Sequence, residues 1–89
     1  MLKSMIEAMI LNDLRDAGVP LELVEPELID AFKPQYVDSQ IERCEGMAAT
    51  AQTLAAGGLT PPFKAMQTWS ASALQHRIAE LRSLRANYP

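Results

Sequence analysis

Leu54-Ala55-Ala56-Gly57-Gly58-Leu59-Thr60-Pro61-Pro62-Phe63 is the stretch on which the architecture of this chain turns. Gly57-Gly58 can end a helix without a Cβ penalty, and Leu59 is the apolar residue that folds back over such an end. Thr60 is a good N-cap, and Pro61 suits the first helical position, where a missing N–H costs nothing. Two helices meeting at so short a connection lie side by side. The stretch therefore predicts an antiparallel αα-hairpin with its turn at residues 57–60.

The flanks carry the matching periodicity. On the N-terminal side, from Gln35 to Ala56, residues Tyr36, Val37, Gln40, Ile41, Cys44, Met47, Ala48, Ala51, Leu54 and Ala55 form one stripe. Asp38, Glu42, Glu45, Ala49 and Thr53 face away. The alanines of the stripe permit close approach of a second helix. On the other side a helix is predicted from Pro61 to about Asn87. Its stripe, near a coiled-coil seam in spacing, is Phe63, Met66, Ser70, Ala73, Leu74, Arg77, Leu81, Leu84 and Tyr88. At 1.5 Å per residue each arm is roughly 30–40 Å long, more than a short N-terminal block covers, so two hairpins are expected to cover each other in a dimer.

Ahead of the hairpin, Ser4 and Glu7 stand in capping-box spacing and predict a first helix from about Met5 to Asp16. Leu2, Ile6, Met9, Ile10 and Leu14 share its apolar face, and Gly18 is placed to end it in the left-handed conformation. Pro20 suits the start of a second short helix. Leu21, Val24, Leu28 and Phe32 repeat at helical spacing, but Pro26 predicts a kink or two single turns, and Pro34 closes this acidic segment. The expectation is one all-α domain over residues 1–89, a small helical bundle. It has a short N-terminal helix and a kinked acidic segment within 1–33, and a long hairpin over 35–88.

Composition sets the outer bounds. Of the 89 residues, 48% are hydrophobic and 21% charged, too apolar for a disordered chain. A single domain this small buries only about 60–65% of its unfolded surface, so a partner would help it. The net charge of −3 hides a division. Residues 1–45 hold ten acidic against four basic side chains, and residues 46–89 hold Lys64, Arg77, Arg82 and Arg85 against Glu80 alone. Such halves attract within one chain or across a dimer. Cys44 is the single cysteine, so no internal disulfide forms and a cytoplasmic setting is expected. The N-terminal apolar residues are interrupted by Glu7 and Asp13, unlike a signal peptide. The uncharged run Gly46–Phe63 is too polar and broken to span a bilayer, so no membrane partner is expected.

Few residues suggest chemistry. Arg77 interrupts the apolar stripe and must snorkel, pair with an acid such as Asp13, or face a partner chain. Trp69 reads first as core packing, with a partner anchor as its other role. His76 and Glu80 can interact at i, i+4 but form neither a metal site nor an acid–base pair, and a solvated helix surface explains His76. Met5 and Met9 fill core gaps or line an exposed groove. Glu22, Glu25, Glu27 and Asp30 match no calcium loop, and Gly57-Gly58 is no phosphate loop. Arg77, Arg82 and Arg85 are the one basic cluster, in a chain too acidic for an ordinary DNA reader. No cofactor is implied, and no nucleophile–base–acid set suggests an enzyme.

The segment Tyr36–Tyr88, a helix, a glycine turn and a helix with an aromatic early in its second arm, resembles the small hairpin co-chaperones of type III secretion systems. It is equally similar to small phage-encoded helical proteins that bind and inhibit host factors. Either resemblance covers a little over half of the chain and implies protein binding. The expected function is thus a non-catalytic adaptor, co-chaperone or inhibitor that binds another protein and forms a homodimer. Trp69, Met5, Met9, Arg77, His76 and Phe63 are its candidate contact residues. The alternative expectation is a small transcriptional regulator that contacts DNA through the C-terminal arginines.

Overall fold

A computed structural model describes residues 2–57 and 60–88, with side chains from Met5 onward. They form three α-helices, α1 (Leu2–Asp16), α2 (Pro26–Ala56) and α3 (Pro61–Arg85), with a 3₁₀ turn at Leu21–Leu23. No strand occurs among the described residues. The fold is all-α, built on the expected hairpin: α2 and α3 pack along their length, and α1 lies across one end of them.

α1 begins at Leu2, so Ser4 falls inside its first turn and the Ser4–Glu7 capping box is not what starts it. Its end follows expectation. Gly18 takes φ +83°, the Gly18 N–H reaches the Arg15 carbonyl at 3.0 Å, and the Val19 N–H reaches the Leu14 carbonyl at 3.0 Å. That pair of bonds is a Schellman closure, and it turns the chain back under α1.

The acidic segment departs from expectation. Pro26 does open a helix, but the helix continues through Pro34 and runs 31 residues to Ala56. The first arm of the hairpin therefore starts at Pro26 and not at Gln35, and is about 46 Å long at 1.5 Å per residue. Pro34 leaves the Asp30 carbonyl without its i+4 donor. Burial on both sides of it holds the helix together: Ile29, Lys33, Tyr36 and Val37 are all buried.

The seam between the arms follows intervals of three and four. On α2 it runs Val37, Ile41, Cys44, Ala48, Ala51 and Ala55; on α3 it runs Ala71, Leu74, Ile78, Leu81 and Arg85, with Tyr88 just beyond the helix. Ile78 is 1% exposed, although the sequence stripe was centred on Arg77 and passed it by. Of the expected stripe, Leu81 and Leu84 are buried and Leu74 and Tyr88 half-buried, whereas Phe63, Met66, Ser70, Ala73 and Arg77 are exposed, to one side of the seam.

The main core sits where α1 joins the hairpin: Ile6 and Ile10 pack with Ile29, Tyr36, Val37, Leu81 and Leu84. The far half of the seam is made of alanines. At the turn, Gly57 caps α2 with φ −87° rather than a left-handed conformation. Thr60 occupies the N-cap position without a side-chain hydrogen bond, and Pro61 opens α3. The expected roles of Gly58 and Leu59 lie outside the described residues. The whole molecule measures 50 × 30 × 19 Å, with a radius of gyration of 16.2 Å, against about 12 Å for a compact domain of this length.

The opposite charges of the two halves meet within one chain. Arg82 donates to Glu45 at 2.6 Å and Arg85 to Asp38 at 2.8 Å, both across the hairpin. Both pairs are largely exposed, so they set register more than they add stability.

Candidate interaction surfaces

Two features fix α1 on the hairpin. The Tyr36 hydroxyl donates to an Asp13 carboxylate oxygen at 2.8 Å. Burial pushes the Tyr36 hydroxyl up to about 12, and the hydrogen bond to Asp13 and its negative charge push the same way. Lys33 is 8% exposed, with its ammonium 2.8 Å from Asp30 and 3.8 Å from Glu7. The Asp30 hydrogen bond, with the charges of Asp30 and Glu7, raises its pKa against the opposing cost of burial. Neither residue stood out in the sequence, because a Lys at a buried position is visible only once its partners are.

Of the roles open to Arg77, pairing with Asp13 does not form. Asp13 is taken by Tyr36, and the half-exposed Arg77 lies 4.0 Å from Glu80. Arg77 nevertheless joins the candidate residues. With Met5, Met9, Gln40, Cys44 and Leu81 it lines a groove of about 290 Å³ at the margin of α1. With Trp69, Ser72, Ala73, His76 and Glu80 it lines a shallow depression beside that groove. Five of the six candidates thus cluster around Arg77, and Phe63 stands apart near the hairpin turn. Trp69 is 72% exposed, which overturns the reading of it as core: it sits on α3 opposite the seam. His76 is exposed and 3.7 Å from Glu80, as a solvated helix residue would be.

The groove at Met5 and Met9 continues past the N-terminal end of α1. It runs between α2 and α3 by way of Arg43, Met47, Ala73 and Leu74, then past Thr50, Gln67 and Ser70. This is the face of the hairpin that α1 covers at its base and leaves open further along. Met47 lines it and is 50% exposed, and Leu54, Phe63 and Met66 of the same outer half are 41%, 40% and 57% exposed. Lys64 is the single charged side chain of residues 46–74. Even the threonines turn inward: Thr50, Thr53 and Thr68 donate to the carbonyls of Gly46, Ala49 and Lys64, so their hydroxyls are spent on their own helices.

A second surface lies at the opposite end. Ile10, Leu14, Val19, Leu23, Val24, Leu28, Ile29 and Phe32 enclose a groove of about 420 Å³ with no polar residue in its lining. The sequence gives the spacing of Leu21, Val24, Leu28 and Phe32. It does not say that the chain reversal at Gly18 turns Leu23 and Leu28 toward solvent. Met47, Leu54 and Met66 were likewise missed as contact candidates, since helical spacing alone does not separate a seam from its flank.

Among the described residues no three His, Cys, Asp or Glu side chains converge to hold a metal ion. No helix of the described residues is long and apolar enough to cross a membrane. Arg82 and Arg85, two of the three arginines that would contact DNA, are already engaged by Glu45 and Asp38. No known protein family, curated protein or solved structure matches the chain. The likeness to secretion co-chaperones and phage inhibitors rests on pattern alone.

Proposed function

We propose that this chain is a small, non-catalytic protein-binding module that works through its helical faces as a homodimer, in the manner of an adaptor, co-chaperone or inhibitor. One observation carries the reading. The outer half of the hairpin exposes Met47, Leu54, Phe63, Met66 and Trp69 over a 29-residue segment whose single charge is Lys64. Apolar surface gathered on a charge-poor face is what an interface buries. A second copy fits it, because a two-fold contact must complement itself, and the charges that border this face, Glu42, Arg43 and Lys64, are few and of both signs. The remaining residues carry the net negative charge, and pairing through the outer halves places them at opposite ends, well beyond the screening length of about 8 Å. The lone thiol agrees with a reducing compartment such as the cytoplasm.

Light scattering over a dilution series tests the reading. The wild type is expected to be dimeric and to dissociate on dilution. Met66→Glu and Trp69→Glu, both at exposed positions, are expected to be monomeric with unchanged helix content. A wild type that is monomeric at every concentration overturns the dimer, as do variants that dimerise like the wild type.

A further inference from the structure

We propose that the apolar groove at the acidic end, between α1, the 3₁₀ turn and the start of α2, is a docking site for a basic amphipathic helix of a partner protein. The proposal rests on the protein-binding reading above and names the partner's chemistry. It uses a different surface from the one assigned to self-association.

The groove has a firm floor and raised apolar lips. Ile10 and Ile29 are buried beneath it, whereas Leu23, Leu28 and Phe32 are 73%, 62% and 45% exposed along its edge. Its volume of about 420 Å³ falls in the range of clefts that hold ligands. The lips are held in place before any partner arrives. Pro20 and Pro26 fix the backbone on either side of the 3₁₀ turn, and the Phe32 ring leans on Tyr36 with centroids 5.9 Å apart. Such preorganisation lowers the entropy cost of docking.

The rim decides the occupant. Asp16, Glu22, Glu25 and Glu27 are exposed and form no ion pair among the described residues. Asp13 and Asp30, by contrast, are engaged by Tyr36 and Lys33. Glu22, Glu25 and Glu27 adjoin in sequence the residues that line the groove. An apolar trough whose surroundings hold Asp16, Glu22, Glu25 and Glu27 against Arg15 alone among unpaired charges complements a helix that carries Leu, Ile or Phe at i, i+3, i+4 and i+7 with Lys or Arg beside them. The same rim repels an anionic membrane, and it repels the equally acidic end of a second copy.

The probe is a fluorescently labelled helical peptide of about 18 residues, with leucines at those spacings and lysines elsewhere; at 1.5 Å per residue it is about 27 Å long. Anisotropy titration is expected to give saturable binding that weakens as salt rises toward 1 M, where the screening length falls to about 3 Å. Leu23→Asp and Leu28→Asp are each expected to weaken it at least tenfold, about 1.4 kcal/mol. Replacing Glu22, Glu25 and Glu27 together by Gln should weaken binding and flatten its salt dependence. If either Leu variant loses helix content, this triple variant, which leaves the apolar walls intact, carries the test. A monomeric Met66→Glu variant should bind the peptide as the wild type does, so failure of this groove and failure of self-association read out separately. The proposal is overturned by no binding, by equal binding of a scrambled peptide of the same composition, or by affinity unchanged in the variants.

Discussion

Tyr36 shows how much one hydroxyl can decide. It sits on α2, is 7% exposed, and donates to Asp13 on α1, so it links the two pieces that form the main core. Its pKa is raised to about 12 by burial, reinforced by Asp13, which means the folded state favours the neutral phenol. The resulting stability is fully present below the unfolded value of about 10 and is lost as pH climbs through about 12. Lys33 acts in the same direction: its charged form is favoured in the fold, and that contribution disappears above 10.5. Alkali is therefore expected to loosen the junction of α1 with the hairpin. Urea unfolding at rising pH should show stability falling from pH 10 upward. Tyr36→Phe should cost about 1.5–3 kcal/mol at neutral pH, the worth of a hydrogen bond to a charged group. It should also flatten the alkaline decline. A decline as steep in the variant as in the wild type would refute the assignment to Tyr36.

At the scale of elements, local chemistry was legible and facing was not. Gly18 and Pro61 were read correctly because a left-handed C-cap and a first-turn proline depend on their immediate neighbours alone. Pro34 was misread because its effect depends on what its helix is packed against, and α1 pays back the missing hydrogen bond through Ile29, Tyr36 and Val37. The register of α3 was misread for a related reason. Its apolar residues occupy two adjoining faces, one toward α2 and one toward α1 and the open groove. A single stripe drawn through both passes over Ile78 and takes in Arg77. The tolerance of Pro34 has a measurable cost. Pro34→Ala restores the donor to the Asp30 carbonyl and is expected to stabilise the protein by about 1–3 kcal/mol, seen as a higher urea midpoint. Unchanged or lower stability would mean that the proline geometry itself is needed for α1 to seat.

For the whole molecule, the sequence made the charge division plain but not its arrangement. Arg82 and Arg85 return to the acidic half through the hairpin and leave the outer half nearly uncharged. The resulting protein has two unlike ends. One is acidic and holds the three-helix core; the other is neutral and consists of two helices joined over alanines. The candidate surfaces divide the same way, since the acid-rimmed groove depends on how the chain reverses at Gly18 and the outer face on where α1 stops. Neither dependence is written in a local pattern. The placement of Trp69 follows from the same geometry, because an aromatic opposite the seam has no third layer to enter.

The lone thiol gives this architecture a clock. Cys44 is half-buried in the seam, with Met5 and Met9 of α1 on one side of it and the open groove between α2 and α3 on the other, so lifting of α1 is expected to speed attack on its sulfur. The rate at which iodoacetamide alkylates the native protein, divided by the rate in the urea-unfolded chain, then tracks how well α1 shields the thiol. That ratio should rise in Tyr36→Phe and leave Trp69→Glu at the value of an equally dilute wild type. Equal ratios in Tyr36→Phe and the wild type would mean that the thiol is reached by a path α1 does not guard. A single sulfur thus reports how firmly α1 is seated on the hairpin.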